Sequence, residues 1–87
     1  MERREYTIQD AVGLHARPVS LIARIAMPYK NSKITLSCGE KSADAIHMLA
    51  VMDMQVKQGD TIVVTVEGGQ EILIADTILN VFIYQNL

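Results

Sequence analysis

The chain carries one cysteine, Cys38, so it cannot close an internal disulfide, and no pair of thiols stands at zinc-site spacing. It also lacks a basic surplus. Eight Lys and Arg face ten Asp and Glu, a net charge of −2, which argues against nucleic acid as a partner. No cationic segment followed by an apolar run opens the sequence, so no signal peptide is expected. The longest apolar stretches fall far short of a membrane span. No repeat, low-complexity tract or linker interrupts it, so residues 1–87 are expected to form one domain in a reducing cytoplasm. Against these absences, 49% of the residues are hydrophobic, enough for a core without disulfides or structural metal.

Periodicity supplies the element order. Tyr6 and Ile8 alternate with Thr7 and Gln9, predicting a first strand that Gly13 ends. Val19, Ile22, Ile25 and Ala26 recur at helical spacing between Arg17 and Met27, with Pro18 in the first turn and Pro28 at the far end. Ile34, Leu36 and Cys38 give a second strand, and Ser42 to Ala45 a short third one after the Gly39-Glu40 turn. Asp44 is placed to cap a helix over Ile46 to Met54, with Gly59 as its stop signal. Ile62, Val64 and Val66 form the clearest strand, turned by Gly68-Gly69. From Gln70 to Tyr84, Ile and Val content favours a strand and length favours a helix. Asp76, Thr77, Asn80 and Tyr84 fall roughly on one helical face, so a helix is predicted. The order β-α-β-β-α-β-α, without strict βαβ alternation, predicts an α+β fold with an antiparallel sheet covered on one face by helices.

The first histidine stands in Val12 to Ser20, "VGLHARPVS", directly before the first helix. That position usually holds Ser, Thr, Asp or Asn, whose oxygens satisfy the free N–H groups of the first turn. Leu14, His15, Ala16 and Arg17 offer no such cap. The turn therefore presents open amides at the positive end of the helix dipole, and Arg17 adds a guanidinium suited to phosphate oxygens. A neutral imidazole nitrogen is a nucleophile near neutral pH. Attack on an activated phosphate would leave a phosphohistidine over those amides and beside Arg17, where the same donors steady the charge of transfer. Each part also has an ordinary reading. His15 can be a solvated or partly capping residue, Arg17 a solvent-facing one, Gly13 a hinge and Pro18 a helix opener. No carboxylate or thiol pair at ligand spacing accompanies His15 or His47, so no metal is expected.

"GLHARP", Gly13 to Pro18, resembles the active-site signature of HPr, the histidine-containing phosphocarrier family of the bacterial sugar phosphotransferase system. The resemblance spans chain length, element order, the place of His15 and the "QGDTIVV" stretch leading into the last strand. It implies an open-faced β-sandwich, a four-stranded antiparallel sheet with three helices on one face. It implies that His15 is phosphorylated on Nδ1 by enzyme I, which draws on phosphoenolpyruvate, and passes the group to an EIIA component. Arg17 and the Ala16 amide would contact the phosphoryl oxygens, with Gly13 and Pro18 supporting the helix start. The implied role is that of a stoichiometric carrier without a cofactor, not a turnover catalyst. Docking of both partners falls by the same likeness on Ser20, Arg24 and Met27 of the first helix and Met48, Leu49 and Met52 of the second. Methionine suits a surface that meets more than one partner.

Two departures from the family pattern matter. The place of a regulatory serine at the start of the second helix falls on His47, which argues against a serine-kinase switch. Val12 stands where the family often has Asn or Ser, leaving no side-chain hydrogen bond beside the active histidine. A specialised paralogue fits both, and so does a rival of another class, a regulatory binding module acting through its helix surface. The last segment is also unusually apolar. A self-association surface on an otherwise monomeric chain, a deeper-buried helix and a partly extended segment each account for it.

Overall fold

The computed structural model describes residues 1–87. Its elements are β1 (Glu2–Thr7), α1 (Ala16–Ala26), β2 (Lys33–Cys38), β3 (Lys41–Asp44), α2 (Met48–Asp53), β4 (Thr61–Glu67) and α3 (Glu71–Tyr84). The strands form one antiparallel sheet in the order β1-β4-β2-β3, and the helices lie against one face of it as an open-faced β-sandwich. β4 is central, pairing Glu2 with Val66 on one side and Leu36 with Val64 on the other. Its alternation is the cause. Ile62, Val64 and Val66 are all buried beside Ile34 and Leu36 of β2, while the other parity faces away from the helices.

α1 closes this layer with Val19, Ile22, Ala23 and Ala26, and α3 with Ile74, Ala75, Ile78, Val81 and Phe82. Phe82 stacks on Tyr6 of β1 with ring centroids 5.4 Å apart. Each such apolar side chain contributes roughly 1.5–3 kcal/mol on burial. No polar or charged residue is buried, and no buried side-chain nitrogen or oxygen lacks a partner.

The structure moves several boundaries. β1 starts at Glu2, four positions before Tyr6, and ends before Ile8, which is buried beyond the strand. Its early part is charged, so the apolar period is silent there. Arg4 instead donates to Glu2 and to Asp76 of α3, each at 2.9 Å, closing the edge with ion pairs. Helix α2 begins at Met48, two residues after the expected Ile46. Asp44 accepts from the Ile46 N–H at 3.2 Å, so it caps the turn ahead of the helix, and His47 occupies the N-cap without a side-chain bond. Nor does Gly59 stop α2. Gln55, at φ 52°, takes the left-handed position after Met54, and Gly59 lies in the turn before β4. Met27 keeps helical angles before Pro28, so α1 ends because proline has no N–H to continue the ladder.

The last segment is helical from Glu71 to Tyr84, which removes the partly extended reading. The deeper-buried reading fails too. Ile72, Leu73, Ile83 and Tyr84 are exposed on the side away from the core.

Candidate functional site

The site is built by a loop held at three points. Ile8 donates to Asp60 and accepts from Gly59, which ties the end of β1 to the turn before β4. Gln9 and Asp10 both donate their N–H groups to the carbonyl of Leu87, and the Gln58 side chain donates to the Gln9 carbonyl. Leu14 donates to the carbonyl of Val56 at 3.0 Å. Gly13 is buried at φ +78°, and a Cβ there would lie 2.5 Å from the Val56 oxygen. Its role is thus close backbone approach, beyond the loop freedom read from the sequence.

This loop delivers His15 to the N-cap of α1 in extended geometry, φ −107° and ψ 178°, with no side-chain cap. Its carbonyl accepts from the Val19 N–H as the first helical bond. The ring is neither packed inward nor free of the protein, with 36% of its side-chain surface exposed. The N–H groups of Ala16 and Arg17 have no acceptor within the protein, and Pro18 has no N–H to satisfy. No acidic residue occupies the first turn. Arg17 is exposed and engages no carboxylate. Pro18 is buried and anchors the turn to the core. An imidazole thus stands at a bare helix start with an unengaged guanidinium two residues on, a geometry made for an anion.

One neighbour of His15 escaped sequence reasoning. Asp10 Oδ2 lies 3.7 Å from His15 Nε2, while its Oδ1 accepts from the Val12 N–H at 2.8 Å. The signal available was Asp10 three residues before Gly13, the pattern of an Asx turn. The turn is closed by the Gly13 N–H donating to the Asp10 carbonyl at 2.9 Å. Val12 contributes its backbone N–H, and its side chain is 74% exposed.

Residues 2–83 match the family described as "PTS HPr component phosphorylation site". The chain belongs to the HPr family, the phosphocarrier proteins of the phosphotransferase system. It is 37% identical over 71 residues to the phosphocarrier protein HPr of Lysinibacillus sphaericus, covering 82% of this chain and 80% of that one. Its fold superposes on a solved histidine-containing phosphocarrier protein of Mycoplasma with a TM-score of 0.91 at 31% identity, over 97% of this chain and 94% of that one. A third relative is DhaM, the phosphoryl donor subunit of a PEP-dependent dihydroxyacetone kinase of Providencia stuartii. It is 34% identical over 64 residues, 74% of this chain and 13% of that protein. HPr domains thus occur both alone and inside larger phosphoryl-transfer proteins.

The other expected HPr positions fall on two helices. Ser20, Arg24 and Met27 continue the stripe of α1 that starts at Arg17, at spacings of three and four. Ser20 is half-buried, and Arg24 and Met27 are exposed. On α2, Leu49 is 80% exposed, and Met48 and Met52 are half-buried against the core. Met27 and Ile46 line one groove of about 400 Å³ between the end of α1 and the approach to α2. His47, where the resemblance puts a regulatory serine, is exposed and carries no hydroxyl. No helix is long and apolar enough to cross a membrane.

Proposed function

We propose that this chain accepts a phosphoryl group on His15 from enzyme I, charged by phosphoenolpyruvate, and passes it to an EIIA-type component for sugar uptake in the cytoplasm. One observation carries the reading. The half-exposed ring of His15 caps nothing, and the Ala16 and Arg17 amides beside it have no acceptor within the protein. Three phosphoryl oxygens on this imidazole would find those two amides, the helix dipole and the Arg17 guanidinium. The same groups oppose the charge that spreads over the phosphoryl oxygens during transfer, at no cost of reorganisation.

The chain is the carrier, consumed and regenerated in each cycle. Its partners dock on the stripe of Ser20, Arg24 and Met27 and on Met48, Leu49 and Met52. Leu49 and Met27 are the exposed apolar members, and Arg24 supplies charge at the rim. Incubation with enzyme I and phosphoenolpyruvate is expected to add one acid-labile phosphoryl group, seen by intact mass. His15→Ala is expected to remove it. Labelling of that variant at the full rate contradicts the assignment.

A further inference from the structure

We infer that Asp10 is the positioning residue for His15, holding the proton on Nε2 and thereby leaving the Nδ1 lone pair as the nucleophile. The inference rests on the phosphocarrier reading for its chemistry, but its geometry stands apart. Every polar group of Asp10 but one has a hydrogen-bond partner in the backbone. The N–H donates to Leu87 O, the carbonyl accepts from Gly13 N–H, and Oδ1 accepts from Val12 N–H. Only Oδ2 remains, and it faces His15 Nε2 at 3.7 Å. The carboxylate is therefore fixed by its own backbone and cannot swing away without breaking the Asx turn.

At 3.7 Å the contact is longer than a hydrogen bond, so Asp10 acts on the ring as a charge. A neutral imidazole carries its proton on one nitrogen and a lone pair on the other. A negative charge facing Nε2 favours the proton there. This is how carboxylates fix the tautomer of histidines that act through their other nitrogen. The transfer step then balances. The Nδ1 lone pair forms the N–P bond as the donor's bond to phosphorus breaks, its electron pair staying with the donor. The ring becomes cationic and retains its Nε2 proton, now facing Asp10 as a full ion pair. When an acceptor attacks phosphorus, the N–P electron pair returns to Nδ1 and the ring is neutral again.

The test reads the tautomer by nitrogen NMR on the unphosphorylated, ¹⁵N-labelled chain at about pH 8.5, where an ordinary imidazole is neutral. Asp10→Asn keeps an oxygen for the Val12 N–H and removes the charge. The Nε2–H population is expected to fall in the variant, and phosphoryl acceptance to slow by roughly two- to fivefold, the scale of a partly exposed charge contact. Asp10→Glu is expected to restore part of both. An unchanged tautomer ratio in Asp10→Asn overturns the inference, whatever the rate. If the loop of that variant loosens, shown by a shifted Val12 amide signal, Asp10→Ser decides by the same ratio. Because the ratio is read before any phosphoryl group arrives, it can fail while His15 still accepts phosphate. Failure of enzyme I to label the wild-type chain would sink the carrier reading and leave the ratio standing.

Discussion

The backbone N–H of Asp10 donates to the carbonyl oxygen of Leu87 at 2.7 Å, so the residues past α3 hold the loop that faces His15. Leu87 is only 2% exposed, and its own N–H reaches back to the Phe82 carbonyl, with Asn86 in the left-handed conformation between them. This is a Schellman ending whose apolar residue belongs to the core. Leu87→Ala should lower stability by roughly 2–3 kcal/mol through lost burial. It should also slow phosphoryl acceptance, since the Gln9 and Asp10 contacts loosen with it. Urea unfolding and a phosphorylation time course check both parts, and a stability within 0.5 kcal/mol of wild type contradicts the anchoring role.

Gly13 and Gln55 give opposite expectations for glycine. At Gly13 a Cβ meets the Val56 oxygen at 2.5 Å on a backbone with φ +78°. Gly13→Ala should cost roughly 2–4 kcal/mol. Gln55 holds φ 52° after α2 at a position where glycine is unstrained. Gln55→Gly should stabilise by up to about 1 kcal/mol. Thermal or urea unfolding of the two variants decides, and a shared sign contradicts the conformational argument.

The Arg17 side chain is exposed and makes no salt bridge, so its removal should leave stability within about 0.5 kcal/mol. Arg17→Ala should nevertheless slow phosphoryl transfer by about tenfold or more, because a charged donor beside the phosphoryl group is lost. Equal transfer rates for the variant and the wild type contradict the clamp role.

The start of α3 has its own charge device. Glu71 accepts from the Gly68 N–H and pairs with the Met1 amino group at 2.9 Å. The Gly68 N–H hydrogen bond, then the hydrogen bond from the Met1 amino group, holds the Glu71 carboxyl below its usual range. The same pair raises the amino group above its ordinary value of 8.0. A depressed carboxyl stabilises above its unfolded value and loses that contribution as pH falls through the folded one. A raised amine stabilises below its unfolded value and loses it as pH rises through the folded one. The contribution should therefore be largest between weakly acidic and neutral pH, and fade on both sides and in high salt. Melting temperatures of wild type and Glu71→Gln across pH test this. A constant difference between them at all pH values contradicts it.

How much of this was legible follows from the kind of signal. The Ile62-Val64-Val66 alternation and the Val19-Ile22-Ala26 spacing are buried faces in the structure, because a core imposes its period on whatever lines it. The bare helix start was readable at His15 for a similar reason, since capping is chemistry of adjacent residues. β1 was readable only at its end. Its Glu2 to Glu5 part is held by pairing with β4 and by ion pairs to α3, neither of which has a local period. Asp44 carried a true cap signal whose oxygen served the preceding turn. Asp10 meets His15 through a turn set by Gly13 and an anchor at Leu87, contacts no spacing rule contains. The surplus of apolar residues on α3 was visible, but only packing shows that Ile72, Leu73, Ile83 and Tyr84 face outward.

One imidazole, that of His15, is expected both to take and to give a phosphoryl group. The most direct test is a two-step transfer followed by intact mass: charge the chain with enzyme I and phosphoenolpyruvate, remove both, then add an EIIA-type protein. One phosphoryl group is expected on His15 after the first step, and after the second its loss from this chain with its appearance on the acceptor. A chain that never gains the group, or gains it on a residue other than His15, contradicts that role for His15.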